Sequence, residues 1–247
     1  MGFRSGLTER LGKPCRLRGP WVRIPLPPHM KIAAIIPAHN EENTIASVIK
    51  AAKGCELLDE VIVVNDGSSD KTEEVAMVQG IKVVSNSINL GKGEALELGV
   101  NATDADILLF LDADLIDFDV KHVNNLLIPV LKQGYDMSVG AVDRSKISNS
   151  LNRIFQKVES PFSGMRVIKR SFWEEIPIKY KKDFYVESTI TYLAKRKKLK
   201  VFPFVLEGVR HVTKEKKLGL WQGTKARWKM NFQIVFINLA LRLNFRN

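Results

Sequence analysis

Asp112 and Asp114 stand one residue apart, directly after five consecutive apolar residues, Ile107-Leu108-Leu109-Phe110-Leu111. Such a run reads as a strand buried on both faces, as in a parallel sheet. Ligands of open α/β sheets bind at the carboxyl ends of strands, where this pair falls. Two neighbouring carboxylates taken out of water cost several kcal/mol unless a cation or hydrogen-bond donors offset them. A hard divalent ion carrying a diphosphate would do so, because Mg²⁺ and Mn²⁺ prefer oxygen ligands. A solvated Asp-x-Asp turn fits the same two residues taken alone.

Three other turns could serve the same chemistry. Asn40 and Glu41 follow the first apolar run and fit either helix caps or ligand contacts. Asp66-Gly67-Ser68 fits a surface turn with a cap, or a carboxylate that accepts from a base N–H or a ribose hydroxyl. Gly91-Lys92-Gly93 at a helix start offers backbone N–H groups and a point charge to phosphate. It is not a Walker A loop, since that spacing and its Ser/Thr are missing, and no G-x-G-x-x-G follows the first strand.

The elements that must position these residues alternate. Strands are predicted at 32–36, stopped by Pro37, and at 61–64, 81–84 and 106–111. Helices are predicted between them, the first ended by Gly54. The remainder reads as a helix over 120–131, a strand over 136–142, a short helix over 149–158, a strand over 167–169, a helix from Tyr185 to about Lys197 and a strand over 200–206. This alternation predicts an α/β fold with a mostly parallel sheet.

The chain has 247 residues, 45% hydrophobic and 26% charged, which suits a globular α/β protein with a sizeable core. Cys15 and Cys55 form neither a metal-ligand spacing nor a disulfide framework, so a reducing compartment is expected. No signal peptide pattern and no run of membrane-spanning length are apparent. The net charge of +11 points to an anionic partner. Residues 195–247 carry 14 Lys and Arg against 2 Asp and Glu, so the centre that holds the carboxylate motifs is acidic.

Taken together, Ile35-Ile36-Pro37-Ala38-His39-Asn40-Glu41-Glu42, Val61-Ile62-Val63-Val64-Asn65-Asp66-Gly67-Ser68-Ser69-Asp70, Asn89-Leu90-Gly91-Lys92-Gly93 and Leu111-Asp112-Ala113-Asp114 resemble, in that order, the family 2 glycosyltransferases of the GT-A fold. Four linked motifs make the resemblance specific over residues 31–115. Beyond Asp114 it continues more loosely through Ser163-Gly164-Met165-Arg166, Tyr185-Val186-Glu187 and Gly208-Val209-Arg210-His211. These pieces look most like the glucosyl-3-phosphoglycerate synthase branch, with polyprenyl-phosphate glycosyltransferases as the other near relatives.

The resemblance implies a Rossmann-like GT-A sheet with helices on both faces and a metal-dependent transfer of sugar from a UDP- or GDP-sugar. Pro37, Ala38, Asn40, Glu41, Asp66, Gly67, Gly91, Lys92, Asp112 and Ala113 would bind the nucleotide sugar. Asp114 and His211 would hold Mg²⁺ or Mn²⁺. Ser163, Gly164 and Arg166 would face the acceptor, either a small phosphorylated acid such as 3-phosphoglycerate or a lipid phosphate. Asp114 and Glu187 would be catalytic, Glu187 as the base of an inverting reaction or as a positioning group in a retaining one. For Glu187 the residues alone fit equally an N-terminal helix carboxylate favoured by the helix dipole.

Three segments are expected: a non-fold extension over 1–29, with the working protein starting at Met30; a glycosyltransferase domain over 30–217; and a C-terminal amphipathic helix over 218–247. Phe232, Val235, Phe236, Leu239 and Leu243 share one face of that helix, with Trp221, Trp228 and several Lys and Arg ahead of them. This suits either a peripheral contact with an anionic membrane or a packing surface, including a homodimer. A cytoplasmic location, or one at the inner face of the cell membrane, follows. A nucleic-acid partner is not expected, since no recognised motif accompanies the charge. A nucleotidyltransferase is disfavoured because Pro37-Ala38-His39-Asn40 stands where its Gly-rich loop would be.

Overall fold

The computed structural model describes residues 30–142, 163–183 and 185–211. The elements in chain order are β1 (Ile32–Ala38), α1 (Ile45–Lys53), β2 (Glu60–Asp66), α2 (Thr72–Met77), β3 (Lys82–Asn86), α3 (Lys92–Asn101), β4 (Ile107–Phe110), β5 (Leu115–Ile116) and α4 (Val120–Lys132). There follow β6 (Met137–Val142), β7 (Met165–Lys169), α5 (Arg170–Glu174), a 3-10 turn (Ile178–Tyr180), α6 (Tyr185–Arg196), β8 (Val201–Leu206) and β9 (Arg210–His211).

Seven strands form one sheet in the order β3-β2-β1-β4-β7-β6-β8. Its pairs are parallel except those made by β7, which runs against both β4 and β6. The sheet is therefore mostly parallel, as expected. The reversal of β7 matters for the site, because it sets Arg166 opposite Phe110 and brings the start of β7 beside the end of β4. The loops leaving β1, β2 and β4 and the loop entering β7 meet at one sheet edge.

Alternation along β1 divides the core in two. Ala34, Ile36 and Ala38 face α1 and α4, whose Ile45, Val48, Ile49, Val123, Leu126 and Leu127 are buried there. Ala33 and Ile35 face α3, α5 and α6, through Leu96, Val100, Trp173 and Ile190 among others. Every residue from Ile107 to Leu111 is buried, with β4 covered on both faces. The apolar run ahead of the carboxylates is thus the central strand it was read as.

One boundary differs. Pro37 does not end β1; it pairs in register with Val64, and the strand runs on to Ala38. The Ile35 carbonyl accepts from Leu111 N, so Ile35 and, two residues on, Pro37 point toward β4. Pairing with β4 stops at Ile35–Phe110. The missing proline N–H therefore falls where no strand needs it. The predicted extension over 1–29, the helix over 149–158 and the helix over 218–247 lie outside the described residues. Among the described residues, no helix is long and apolar enough to cross a membrane.

Candidate active site

Beyond β4 the chain passes through Asp112, Ala113 and Asp114 into β5, a strand of two residues. β5 pairs antiparallel with β9, placing Leu115 opposite His211. This small ladder carries His211 to the carboxylates. Its Nδ1 lies 2.7 Å from Asp114 Oδ1, and its Nε2 lies 3.8 Å from Asp112 Oδ2. One ligand atom from each of Asp112, Asp114 and His211 lies within 4.8 Å of the others. Two carboxylate oxygens and an imidazole nitrogen suit Mg²⁺ or Mn²⁺. Burial opposes protonation of His211, but the hydrogen bond to Asp114 and the charges of Asp112 and Asp114 outweigh it, so the pKa is raised. Below that pKa, a metal binding there must displace the proton. His122 steadies the approach to β9: its Nδ1 lies 3.0 Å from Asp119 N and 2.9 Å from Asp119 Oδ1, and its Nε2 meets the Glu207 carbonyl at 3.2 Å.

The second cluster centres on Lys92, the first residue of α3. Its ammonium lies 2.5 Å from Asp112 Oδ1 and 2.6 Å from Glu187 Oε1. Burial disfavours this ammonium, yet the two carboxylates more than compensate and hold its pKa above the ordinary lysine value. Glu187 sits in the first turn of α6, and α3 fixes the segment leading to it. Glu94 Oε2 accepts from Asp183 N at 3.1 Å, and Glu97 Oε2 accepts from Lys181 Nζ at 2.9 Å and from Trp173 Nε1 at 2.6 Å. Gly164 closes the cluster from the β7 side. A Cβ there would stand 2.2 Å from Lys92 Nζ and 2.3 Å from Asp112 Oδ1, so only glycine leaves room for the pair.

The third group joins the loops after β1 and β2. Asn40 takes a left-handed φ of 56°, a conformation Asn tolerates better than most residues. Its N–H donates to Ser68 Oγ at 3.0 Å, its Oδ1 accepts from Ser69 N at 2.8 Å, and Glu41 N donates to Thr72 Oγ1 at 2.7 Å. His39, which sequence reasoning left out, places Nδ1 2.8 Å from the Asp66 carbonyl. Pro37 and Ala38 end β1 beneath these loops.

The glycosyl transferase family 2 model matches residues 33–197. The chain belongs to glycosyl transferase family 2. It is 43% identical over 109 residues to the glucosyl-3-phosphoglycerate synthase of Mycolicibacterium smegmatis, covering 40% of this chain and 36% of that protein. It is 30% identical over 150 residues to the undecaprenyl-phosphate 4-deoxy-4-formamido-L-arabinose transferase of Yersinia pestis, covering 57% of this chain and 44% of that one. The matches thus span about a third to under half of the length of these curated relatives. The fold is similar to that of glucosyl-3-phosphoglycerate synthase from Mycobacterium tuberculosis in complex with Mn²⁺, UDP and glucosyl-3-phosphoglycerate. The TM-score is 0.67 at 27% identity, over 85% of this chain and 79% of that one.

Within this family 2 chain, the site residues expected from sequence fall at one sheet edge, but two have surroundings other than those expected. Arg166 is 1% exposed and lies under the site instead of facing an acceptor. Asp66 is not in a surface turn: it is the last residue of β2, 4% exposed. Its Oδ1 accepts from Asn86 Nδ2 at 2.8 Å and Leu90 N at 3.0 Å, and its Oδ2 from Gly91 N at 2.8 Å. Those bonds hold the loop that presents Gly91, whose φ of 106° suits glycine, and Lys92. Asp66→Ala would remove three hydrogen bonds that fix the loop, each worth about 0.5–1.5 kcal/mol. We therefore expect a lower melting temperature together with weaker binding of nucleoside diphosphate. A calorimetric affinity and a melting temperature that both match the wild type would refute this role.

Proposed function

We propose that this chain transfers a sugar from a UDP- or GDP-sugar to a small phosphorylated acid such as 3-phosphoglycerate, in a reaction that needs Mg²⁺ or Mn²⁺. The observation that carries the reading is the meeting of Asp112, Asp114 and His211 with Lys92 and Glu187 at the carboxyl end of β4. Asp112, Asp114 and His211 would hold the ion, which, when bound, supplies a Lewis acid for the diphosphate leaving group. Lys92, kept as an ammonium by two carboxylates, can turn to the same diphosphate as negative charge grows on it. Glu187, across Lys92 from Asp112, is placed to accept the acceptor hydroxyl proton in an inverting transfer, or to orient the acceptor in a retaining one. The end of β1 at Pro37 and Ala38 and the loops holding Asn40, Glu41, Gly67 and Gly91 would border the nucleotide. Ser163 and Gly164, on the loop entering β7, border the acceptor side.

A second reading, transfer to a polyprenyl phosphate at the membrane surface, draws support from the similarity to the Yersinia pestis enzyme, which extends over more of this chain than the 109-residue match does. On that reading residues 218–247 would make a peripheral contact with the inner face of the membrane; on the first they would cover the domain or a second subunit in the cytoplasm. A donor screen tests both. Nucleoside diphosphate release is measured for each UDP- and GDP-sugar, with Mg²⁺, Mn²⁺ or excess chelator, against 3-phosphoglycerate and a polyprenyl phosphate. We expect release that requires a divalent ion and is faster with 3-phosphoglycerate. Preference for the lipid phosphate would select the second reading. Absence of release with every donor, or undiminished release in chelator, would overturn the proposal.

A further inference from the structure

Asp114 and His211 are brought together by a ladder of two pairs, Leu115 with His211 and Ile116 with Arg210. Continued at the same register, the two arms would set Asp119 opposite Glu207. The ladder stops short of that point, and the imidazole of His122 stands there between the two residues. Its Nδ1 lies 3.0 Å from Asp119 N and 2.9 Å from Asp119 Oδ1, and its Nε2 lies 3.2 Å from the Glu207 carbonyl. A carbonyl oxygen only accepts, which assigns the proton of that bond to Nε2. The ring is 3% exposed and stacks on Phe118, with centroids 5.5 Å apart. One buried side chain thus joins the chain leaving β5 to the chain entering β9. Phe118 follows Asp114 by four residues, and Glu207 precedes His211 by four.

The other contacts on these arms direct the chain less. The Asp117–Arg210 ion pair, at 2.6 Å, is more than half exposed on both sides, so water and salt screen it. Val209 is buried and anchors the turn, but apolar burial has no preferred direction. A hydrogen bond from a buried ring does have one. It aims the Glu207 carbonyl, and with it the course of the chain toward His211. Aim matters at a metal site, where ligand distances must hold to within about 0.2 Å.

We propose that His122 is a positioning residue of the metal site, a brace across the open end of the β5–β9 ladder that sets the spacing of Asp114 and His211 for a divalent ion. The proposal rests on the reading of Asp112, Asp114 and His211 as the metal ligands. It needs no change of charge on His122. The same ring completes the capping box of α4 with Asp119, a role that concerns stability alone, and the test must separate the two.

Three variants of the full chain are compared with the wild type: His122→Phe, His122→Gln and Leu126→Ala. Phenylalanine keeps the ring and its stacking on Phe118 but donates nothing. Glutamine at this helix position can accept from Asp119 N as in an ordinary capping box, and its amide N–H can still donate to Glu207. Leu126→Ala loosens the packing of α4 away from the ladder and serves as the reference for lost stability. Mn²⁺ affinity of the free protein is read by calorimetry or electron paramagnetic resonance, beside the melting temperature and amide hydrogen exchange over residues 207–211. We expect His122→Phe to weaken Mn²⁺ binding by roughly 2–10-fold, the weight of one hydrogen bond, and to speed exchange over 207–211. His122→Gln should stay within about twofold of the wild type, a residue of that same hydrogen-bond effect. Leu126→Ala should lower the melting temperature and leave Mn²⁺ affinity unchanged. Wild-type affinity in His122→Phe, an equal loss in Leu126→Ala, or a glutamine variant no better than phenylalanine would overturn the proposal. If His122→Phe does not fold, the wild type still decides: Mg²⁺ should slow solvent exchange of the His122 Nε2 proton, followed by NMR, and exchange indifferent to the ion would reject the brace. A wild type that binds neither ion would count against the metal site itself, and exchange over 207–211 in His122→Phe would still judge the brace.

Discussion

Asp114→Asn is expected to lower turnover by roughly 10²–10³-fold, the loss typical of removing one electrostatic catalytic group. The substitution is nearly isosteric, so β5 and its pairing with β9 should survive. What disappears is a negative oxygen 2.7 Å from His211 Nδ1 and one charge of the Asp112–Asp114–His211 set. Mn²⁺ affinity, read by calorimetry or electron paramagnetic resonance, should fall with turnover, and excess metal should restore part of the activity. The raised pKa of His211 adds a pH dependence whose sign is fixed. Below that pKa an incoming ion must expel a proton; above it the imidazole is already neutral. Mn²⁺ binding to the free protein should therefore tighten as pH rises through the titration of His211, and this slope should flatten in His211→Ala. Full activity of Asp114→Asn, or Mn²⁺ binding indifferent to pH, would remove the ion from this position.

How much of this site could be read from the chain depended on the length of the element carrying each residue. β4 announced itself, because five apolar residues ending in two carboxylates leave few alternatives to a central strand, and all five are buried. Lys92 and Glu187 were legible in kind, each at the start of a helix with clear periodicity. His211 was not legible from the residues alone. It reaches Asp114 through β5 and β9, two residues each, and no hydrophobic period exists over two residues. Only the resemblance around Gly208-Val209-Arg210-His211 singled it out. For Arg166 the resemblance implied an acceptor-facing role, and for Asp66 the turn-like Asp66-Gly67-Ser68 stretch and the resemblance implied contact with the nucleotide. Neither residue type reveals that the reversed strand β7 turns one inward, or that Asn86, Leu90 and Gly91 saturate the other. Pro37 misled for a similar reason: a proline ends a strand only where its nitrogen meets a neighbour, and the neighbour here stops two residues earlier.

Glu187→Gln carries the other large expectation, a fall in kcat of about 10²–10⁴-fold, the usual worth of a positioned general acid or base. The competing explanation of Glu187 is favourable interaction with the N-terminus of α6, which is worth about 0.3–1 kcal/mol and concerns stability alone. Glutamine forfeits that small term, so the melting temperature should move little. It can still accept a hydrogen bond from Lys92, and Asp112 remains on the ammonium at 2.5 Å, so the donor side should stay assembled and the donor KM should hold. A loss in kcat at nearly constant donor KM separates a group that acts on the acceptor hydroxyl from one that grips the nucleotide. The anomeric configuration of the product, read by NMR, then divides the two roles open to this carboxylate. Inversion with a loss near the top of the range makes Glu187 the base; retention with a loss near the bottom makes it a positioning group. A variant with more than about half of wild-type turnover, far above the loss expected of either role, would return Glu187 to the helix terminus and leave the acceptor proton without an assigned partner.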